Sequence, residues 1–182
     1  KTLMDLLADR PFVLAVSSDN PNKNFSSVIK ALELMGPHAP ACVIVGQKND
    51  RVFSRSTLST EKIHHLGYVT DAELVTLYRR ATVMAYPSFY EGFGLPVVES
   101  LLCGTPVITS SVSSMPEAGG NGALYSAPND LASLTENMQK LLANEDLRKQ
   151  LVQNGKQHIQ QNFNREKLSK QLNTIYQNLL NR

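Results

Sequence analysis

Short β-branched, apolar runs alternate with longer amphipathic runs along this chain, and few architectures accommodate that order. The strand-like runs are PFVLAVSS (11–18), ACVIVG (41–46), IHHLGYV (63–69), TVMAYPS (82–88) and PVITS (106–110), with a sixth in GALYSA (122–127). Their near-continuous apolar character fits strands buried on both faces. Between them, 24–36 places Phe25, Val28, Leu32 and Met35 on one helical face and ends at Gly36. Residues 70–81 read as a helix with a capping box, Thr70 followed by Glu73. Residues 96–104 carry Pro96 at the expected first position and close on Gly104. Three further helices follow, at 130–144, 145–162 and 165–181, the last with Leu168, Leu172, Ile175, Tyr176 and Leu179 at helical spacing. The polar segment 54–62 reads as a short helix or loop.

Strands alternating with helices at this pitch predict an α/β fold, a doubly wound parallel sheet with helices on both faces. Such sheets bind ligands beyond the carboxyl ends of their strands. The loops at 17–24, 46–54, 68–71, 87–96 and 110–117 are therefore the places to look for chemistry.

Composition narrows the function classes. With 182 residues, 42% hydrophobic and 19% charged, the chain suits one soluble globular domain. A net charge of +2 gives no basis for nucleic acid as a partner. No apolar run approaches the ~20 residues that span a bilayer. Cys42 and Cys103 both stand in apolar runs and are expected to be buried and reduced, as in a cytoplasmic protein. His64 and His65 are adjacent, so they do not converge on one ion, and no metal site is expected. The chain opens on Lys1, and is expected to be part of something longer.

The densest signal lies in YPSFYEGFGLPVVESLLCGTPVITS, residues 86–110. Gly92 and Gly94 allow positive φ or close approach of the backbone to a ligand. The amides of Gly92, Phe93, Gly94 and Leu95 then gather at a helix N-terminus, an anion site suited to phosphate. Glu91 precedes that turn and Glu99 is expected in the first turn of the helix. A carboxylate beside a phosphate needs hydroxyls to accept from, and sugar and ribose supply them. Tyr86, Phe89, Tyr90 and Phe93 are candidates to stack on a base or sugar, with Tyr86 expected in the core. In the first loop, Lys23 of NPNKNF can reach a diphosphate as a point charge. A dinucleotide-dependent dehydrogenase is disfavoured: SSDNPNKN has no glycine, and GFGLPVVE has a glutamate where the third glycine would stand.

The stretch SFYEGFGLPVVESLLCGTPVI resembles the signature of retaining glycosyltransferases of the GT-B fold, family 4 of the sugar transferases, centred on Glu91 and Glu99. The resemblance continues through LGYVTDAELVTLYRRATVMAYPS upstream and PVITSSVSSMPEAGGNGALYSAPND downstream, covering essentially the whole chain as the C-terminal, Rossmann-like half of a two-domain enzyme. It implies that Glu91 meets the donor sugar and, with Lys23, serves catalysis. It implies that Glu99 accepts from the ribose, that the amides at Gly92, Phe93, Gly94 and Leu95 hold the distal phosphate, and that the main chain at Tyr68 and Val69 meets the base. Where the family has an arginine six residues before the lysine, this chain has Ser17, and Ser17 or Ser18 could offer a neutral hydrogen bond instead.

The resemblance implies transfer of a hexosyl group from a nucleoside diphosphate sugar, UDP ahead of GDP, to a hydroxyl on a glycan or lipid-linked saccharide. The expected setting is bacterial surface polysaccharide synthesis, O-antigen or capsule, in the cytoplasm at the inner face of the membrane. Peripheral membrane association of the full enzyme is compatible with it. No separate cofactor is expected. This chain would bind donor without turning it over, because the acceptor domain, N-terminal to it, is missing, and part of the last helix's apolar face would be left exposed. The alternative is a non-catalytic nucleotide-sugar-binding or partner subunit.

Overall fold

The computed structural model describes residues 10–16, 20–46 and 62–180. Its strands are β1 (Phe12–Val16), β2 (Ala41–Val45), β3 (Ile63–Gly67), β4 (Val83–Tyr86), β5 (Val107–Ser110) and β6 (Ala123–Ser126). They form one parallel sheet in the order β3-β2-β1-β4-β5-β6. The described helices are α1 (Phe25–Leu34), α2 (Asp71–Arg80), α3 (Leu95–Cys103), α4 (Met115–Gly119), α5 (Leu131–Ala143), α6 (Glu145–Asn162) and α7 (Arg165–Leu180). The expected doubly wound α/β architecture is present.

The apolar runs explain the two cores. Alternate residues of a strand face opposite sides, so Phe12 and Leu14 enter one core while Val13 and Ala15 enter the other. The first core receives Leu77 and Tyr78 from α2, Val97 and Leu101 from α3, Met115 and Ala118 from α4, and Ile159 from α6. The second receives Val28, Ile29 and Leu32 from α1 and Leu134, Met138 and Leu141 from α5. Each such aliphatic side chain contributes roughly 1.5–3 kcal/mol when fully buried. Helix starts are fixed by side-chain caps. Thr70 and Glu73 form the expected capping box, Asp130 accepts from the Ser133 amide at 2.9 Å, and Asn144 accepts from the Leu147 amide at 2.9 Å.

The order of strands reverses between β1 and β4. Their pairing runs only through Val13–Val83 and Leu14–Met84, so the ladder stops two residues short of Tyr86. That is the switch point of a doubly wound sheet, where the loops after the two strands diverge and leave a crevice. Lys23 follows β1 and Glu91 follows β4.

Three expectations need correction. Helix α3 begins at Leu95, because Gly94 takes the cap position in the left-handed region (φ 97°) and Pro96 falls within the first turn. Glu99 consequently lies beyond the first turn. Cys42 is buried, and burial pushes its thiol up to about 12, but Cys103 is partly exposed. Cys103 lies one turn beyond the exposed Glu99 and packs only in part against the first core, at the margin of the face that Ser100 and Leu101 bury. The short α4 was expected only as loop. The segment read as 54–62 lies outside the described residues except at Lys62, as do Ser17, Ser18 and most of the loop at 46–54.

Candidate donor-binding site

Lys23 ends a 3₁₀ turn, Pro21–Lys23, that Asn20 caps by accepting from the Asn22 amide at 3.0 Å. Asn24 then adopts φ 54°, a left-handed conformation that asparagine tolerates better than most residues. Its nearly buried side chain donates to Pro87 O at 3.1 Å and Pro128 O at 2.8 Å, and accepts from Ser27 Oγ at 2.7 Å. The Phe89 amide donates to Asn22 O at 2.7 Å. These bonds staple the loop after β1 to the loop after β4.

The result is a tight cluster. Lys23 Nζ lies 2.6 Å from Glu91 Oε1 and 2.6 Å from Tyr86 Oη, and the phenol lies 2.9 Å from the same Oε1. The Lys23 and Glu91 side chains are only 17% and 13% exposed, so neither charge is fully screened by water. The backbone of Glu91 is held as firmly. Its amide donates to Ser113 Oγ (3.2 Å), and its carbonyl accepts from Ser113 Oγ (2.7 Å) and Ser114 Oγ (3.0 Å). Ser113 holds φ 58°, and a left-handed non-glycine residue persists only where its surroundings enforce it.

The glycine turn follows. No amide from Gly92 to Leu95 finds a partner among the described residues, whereas those of Val97 and Val98 fold back onto Gly94 O. Free donors are thus concentrated at the N-terminus of α3, the arrangement an anion requires. Gly94 is buried, and a Cβ there would collide with Met115 Cε. The Phe93 ring is partly buried and packs in a T-shaped pair with Phe163, centroids 5.1 Å apart. Phe89 and Tyr90 are exposed, and Tyr86 is core, 1% exposed.

Glu99 accepts from Tyr78 Oη at 3.0 Å. Beyond it, the end of β3 and the start of α2 form a groove of about 450 Å3 lined by Leu66, Tyr68, Val69, Ala72, Thr76 and Leu77. Tyr68 is 94% exposed there. Helix α2 lines this groove with Leu77 and meets Glu99 through Tyr78. The groove follows β3, Lys23 follows β1, and Glu91 with the free amides follows β4, so all three lie on the carboxyl side of the sheet, while Glu99 stands further along α3. Among the described residues no three His, Cys, Asp or Glu side chains gather as metal ligands.

The sequence model of the family described as "Glycosyl transferases group 1" matches residues 5–158. The chain belongs to the group 1 glycosyltransferases. It is 34% identical to O-antigen chain mannosyltransferase B of Escherichia coli over 150 residues, 78% of this chain and 39% of that protein. It is also 34% identical over 124 residues to the O-antigen chain mannosyltransferase RfbU of Salmonella typhimurium, 65% of this chain and 35% of that protein. The chain thus spans well under half of these relatives. Among solved structures, a sucrose-phosphate synthase from Thermosynechococcus elongatus superposes with a TM-score of 0.84 at 26% identity, covering 98% of this chain and 47% of that one. Anabaena HepE in complex with UDP-glucose gives 0.81 at 20% identity, over 97% of this chain and 51% of that one, a likeness of fold. This group 1 glycosyltransferase chain has the Rossmann-like fold of GT-B enzymes.

Residues important to the geometry of this candidate site are not evident in the sequence. Tyr78, Ser113 and Ser114 carry no local signal, and they, like Asn24, act on partners well separated along the chain. Only Asn24, an asparagine just before a helix, could have drawn notice.

Proposed function

We propose that this chain is the donor-binding half of a retaining glycosyltransferase. The enzyme moves a hexosyl group from a nucleoside diphosphate sugar to a hydroxyl on a glycan or lipid-linked saccharide. The observation that carries this reading is the meeting of Lys23 and Glu91 across the switch point, beside the unpaired amides of Gly92–Leu95. A cation and oriented dipoles suit a diphosphate whose charge grows as the glycosidic bond breaks. Glu91 orients the sugar, Glu99 accepts from the ribose hydroxyls, and the Tyr68–Val69 backbone meets the base. The names of the relatives support synthesis of bacterial surface polysaccharide, and make mannose the first hexose to test. The acceptor site belongs to a second domain outside these residues, and the exposed side of α7 is the surface that domain covers. The full enzyme works in the cytoplasm, at the inner face of the membrane.

Calorimetry of the chain against UDP, GDP, ADP and their sugars tests the reading, with UDP expected ahead of GDP. Binding of a nucleoside diphosphate without turnover is the expected result. Failure of the folded chain to bind any of them would sink it, and robust glycosyl transfer by these residues alone would overturn the half-enzyme assignment. Glu99→Gln keeps size but weakens acceptance from two hydroxyls. Hydrogen bonds to a charged group contribute roughly 1.5–3 kcal/mol, so affinity should fall about ten- to a hundredfold. Unchanged affinity in a folded variant would remove Glu99 from the ribose.

A further inference from the structure

Behind each glutamate stands a buried tyrosine that the donor-binding reading leaves without a role. Tyr86 closes β4 and Tyr78 lies in the last turn of α2, and both are 1% exposed. Tyr86 Oη accepts from Lys23 Nζ, so its one hydrogen is directed to Glu91 Oε1. Tyr78 Oη directs its hydrogen to Glu99 Oε2. The tyrosines are themselves anchored in the same way. Buried Thr109 donates from Oγ1 to Tyr86 O at 2.8 Å, and buried Thr105 donates from Oγ1 to Tyr78 O.

Two parallel chains result, Thr109–Tyr86–Glu91 and Thr105–Tyr78–Glu99, each running from the first core to one carboxylate. In each, one carboxylate oxygen is taken and the other has no partner among the described residues: Oε2 of Glu91 and Oε1 of Glu99. Burial, and after it the adjoining carboxylate, raises both phenols well above the usual tyrosine range, so they remain donors at any working pH.

We propose that Tyr86 and Tyr78 are positioning residues, each fixing which oxygen its glutamate presents to the donor: Glu91 Oε2 to the sugar and Glu99 Oε1 to the ribose. This rests on the donor-binding reading above. A carboxylate held at one oxygen rotates less freely, so the second meets a hydroxyl at a lower entropic cost than a free side chain would. The competing role is structural, in which the carboxylates merely satisfy two buried phenols. The two differ in what the phenol's loss does to separate parts of the ligand.

The test measures dissociation constants of the folded chain for three probes: the tighter-binding of UDP and GDP, its hexose conjugate, and its 2′,3′-dideoxy form. The ratio of the first two isolates the sugar, and the ratio of the first and third isolates the ribose. Tyr86→Phe keeps the ring and should change the sugar ratio by about three- to tenfold while leaving the ribose ratio alone. Tyr78→Phe should do the reverse. Glu91→Gln and Glu99→Gln serve as references. If they leave both ratios unmoved, the donor-binding reading itself fails. If they move the ratios and the tyrosine variants do not, or shift both ratios alike, positioning is overturned. Tyr86→Phe added to Glu91→Gln should change nothing further, and an additive loss would also overturn it. If a Phe variant does not fold, Glu91→Asp and Glu99→Asp pull the carboxylates away from the phenols with charge retained. They must reproduce the same selective losses.

Discussion

Lys23→Ala should weaken binding of a nucleoside diphosphate by roughly thirty- to a thousandfold. One part is the lost contact, since a hydrogen bond to a charged group contributes about 1.5–3 kcal/mol. The other part is what the lysine leaves behind. Glu91 Oε1 lies 2.6 Å from Nζ, so without the ammonium a largely shielded carboxylate faces the incoming anion. At ~4 Å and an effective dielectric constant of ~20, like charges repel by about 4 kcal/mol, of which relaxation and water recover much. Monophosphate binding should suffer much less, and the dependence on salt should flatten because a charge pair is gone. Lys23→Ala with Glu91→Ala should then bind diphosphate better than Lys23→Ala alone, though its sugar discrimination is lost. Equal losses for mono- and diphosphate, or no rescue by the second substitution, would mean that another cation serves the site. Arg51 and Arg55, outside the described residues, are the ones to test next.

Gly122→Ala should be the most damaging single-methyl change at a glycine, lowering stability by about 3 kcal/mol and the melting temperature by roughly 10 °C. A Cβ on Gly122 would collide with Gly155 Cα and lie 2.5 Å from its nitrogen. These are backbone atoms of α6 and cannot rotate aside. Nor can α6 shift inward, because Gly155 already meets Leu101: a Cβ there would lie 2.8 Å from the leucine methyl. Gly92→Ala is the control. Nothing lies within 4 Å of its added methyl, so thermal melting should barely move. Similar melting temperatures for the two variants would show that the α6 contact yields more easily than a packed backbone should.

What was legible in the sequence was whatever is local. The largely apolar strands declared a parallel sheet whose central members are buried on both faces, and the spacing of Gly92, Gly94 and Pro96 declared a glycine turn leading into a helix. Thr70 with Glu73 marked a helix start that the structure reproduces. What was not legible depends on segments meeting. Tyr78 reaches Glu99 only because α2 and α3 are neighbours, and Asn24 staples two loops only because β1 and β4 pair. The pairing of Phe93 with Phe163, just past the end of α6, likewise joins segments far apart in the sequence. Pro96 suggests a helix start in the sequence, but the positive φ of Gly94 sets the boundary of α3 one residue earlier, at Leu95.

Helix α7 contributes no buried residue, and its Leu172, Ile175, Tyr176 and Leu179 are 50–61% exposed. A helix of this length held by little beyond its own hydrogen bonds is marginal in water. Its amides should therefore exchange with solvent far faster than those of β1, β4 and β5, and trypsin should cut at Arg165, Lys167 or Lys170 before it reaches the sheet. Uniform protection across α7 and β1 would contradict this. Opening of this chain then has two tiers, a local one at the carboxyl end and a global one. Helical signal lost on gentle heating reports the first, and only the collapse of the sheet reports the fold.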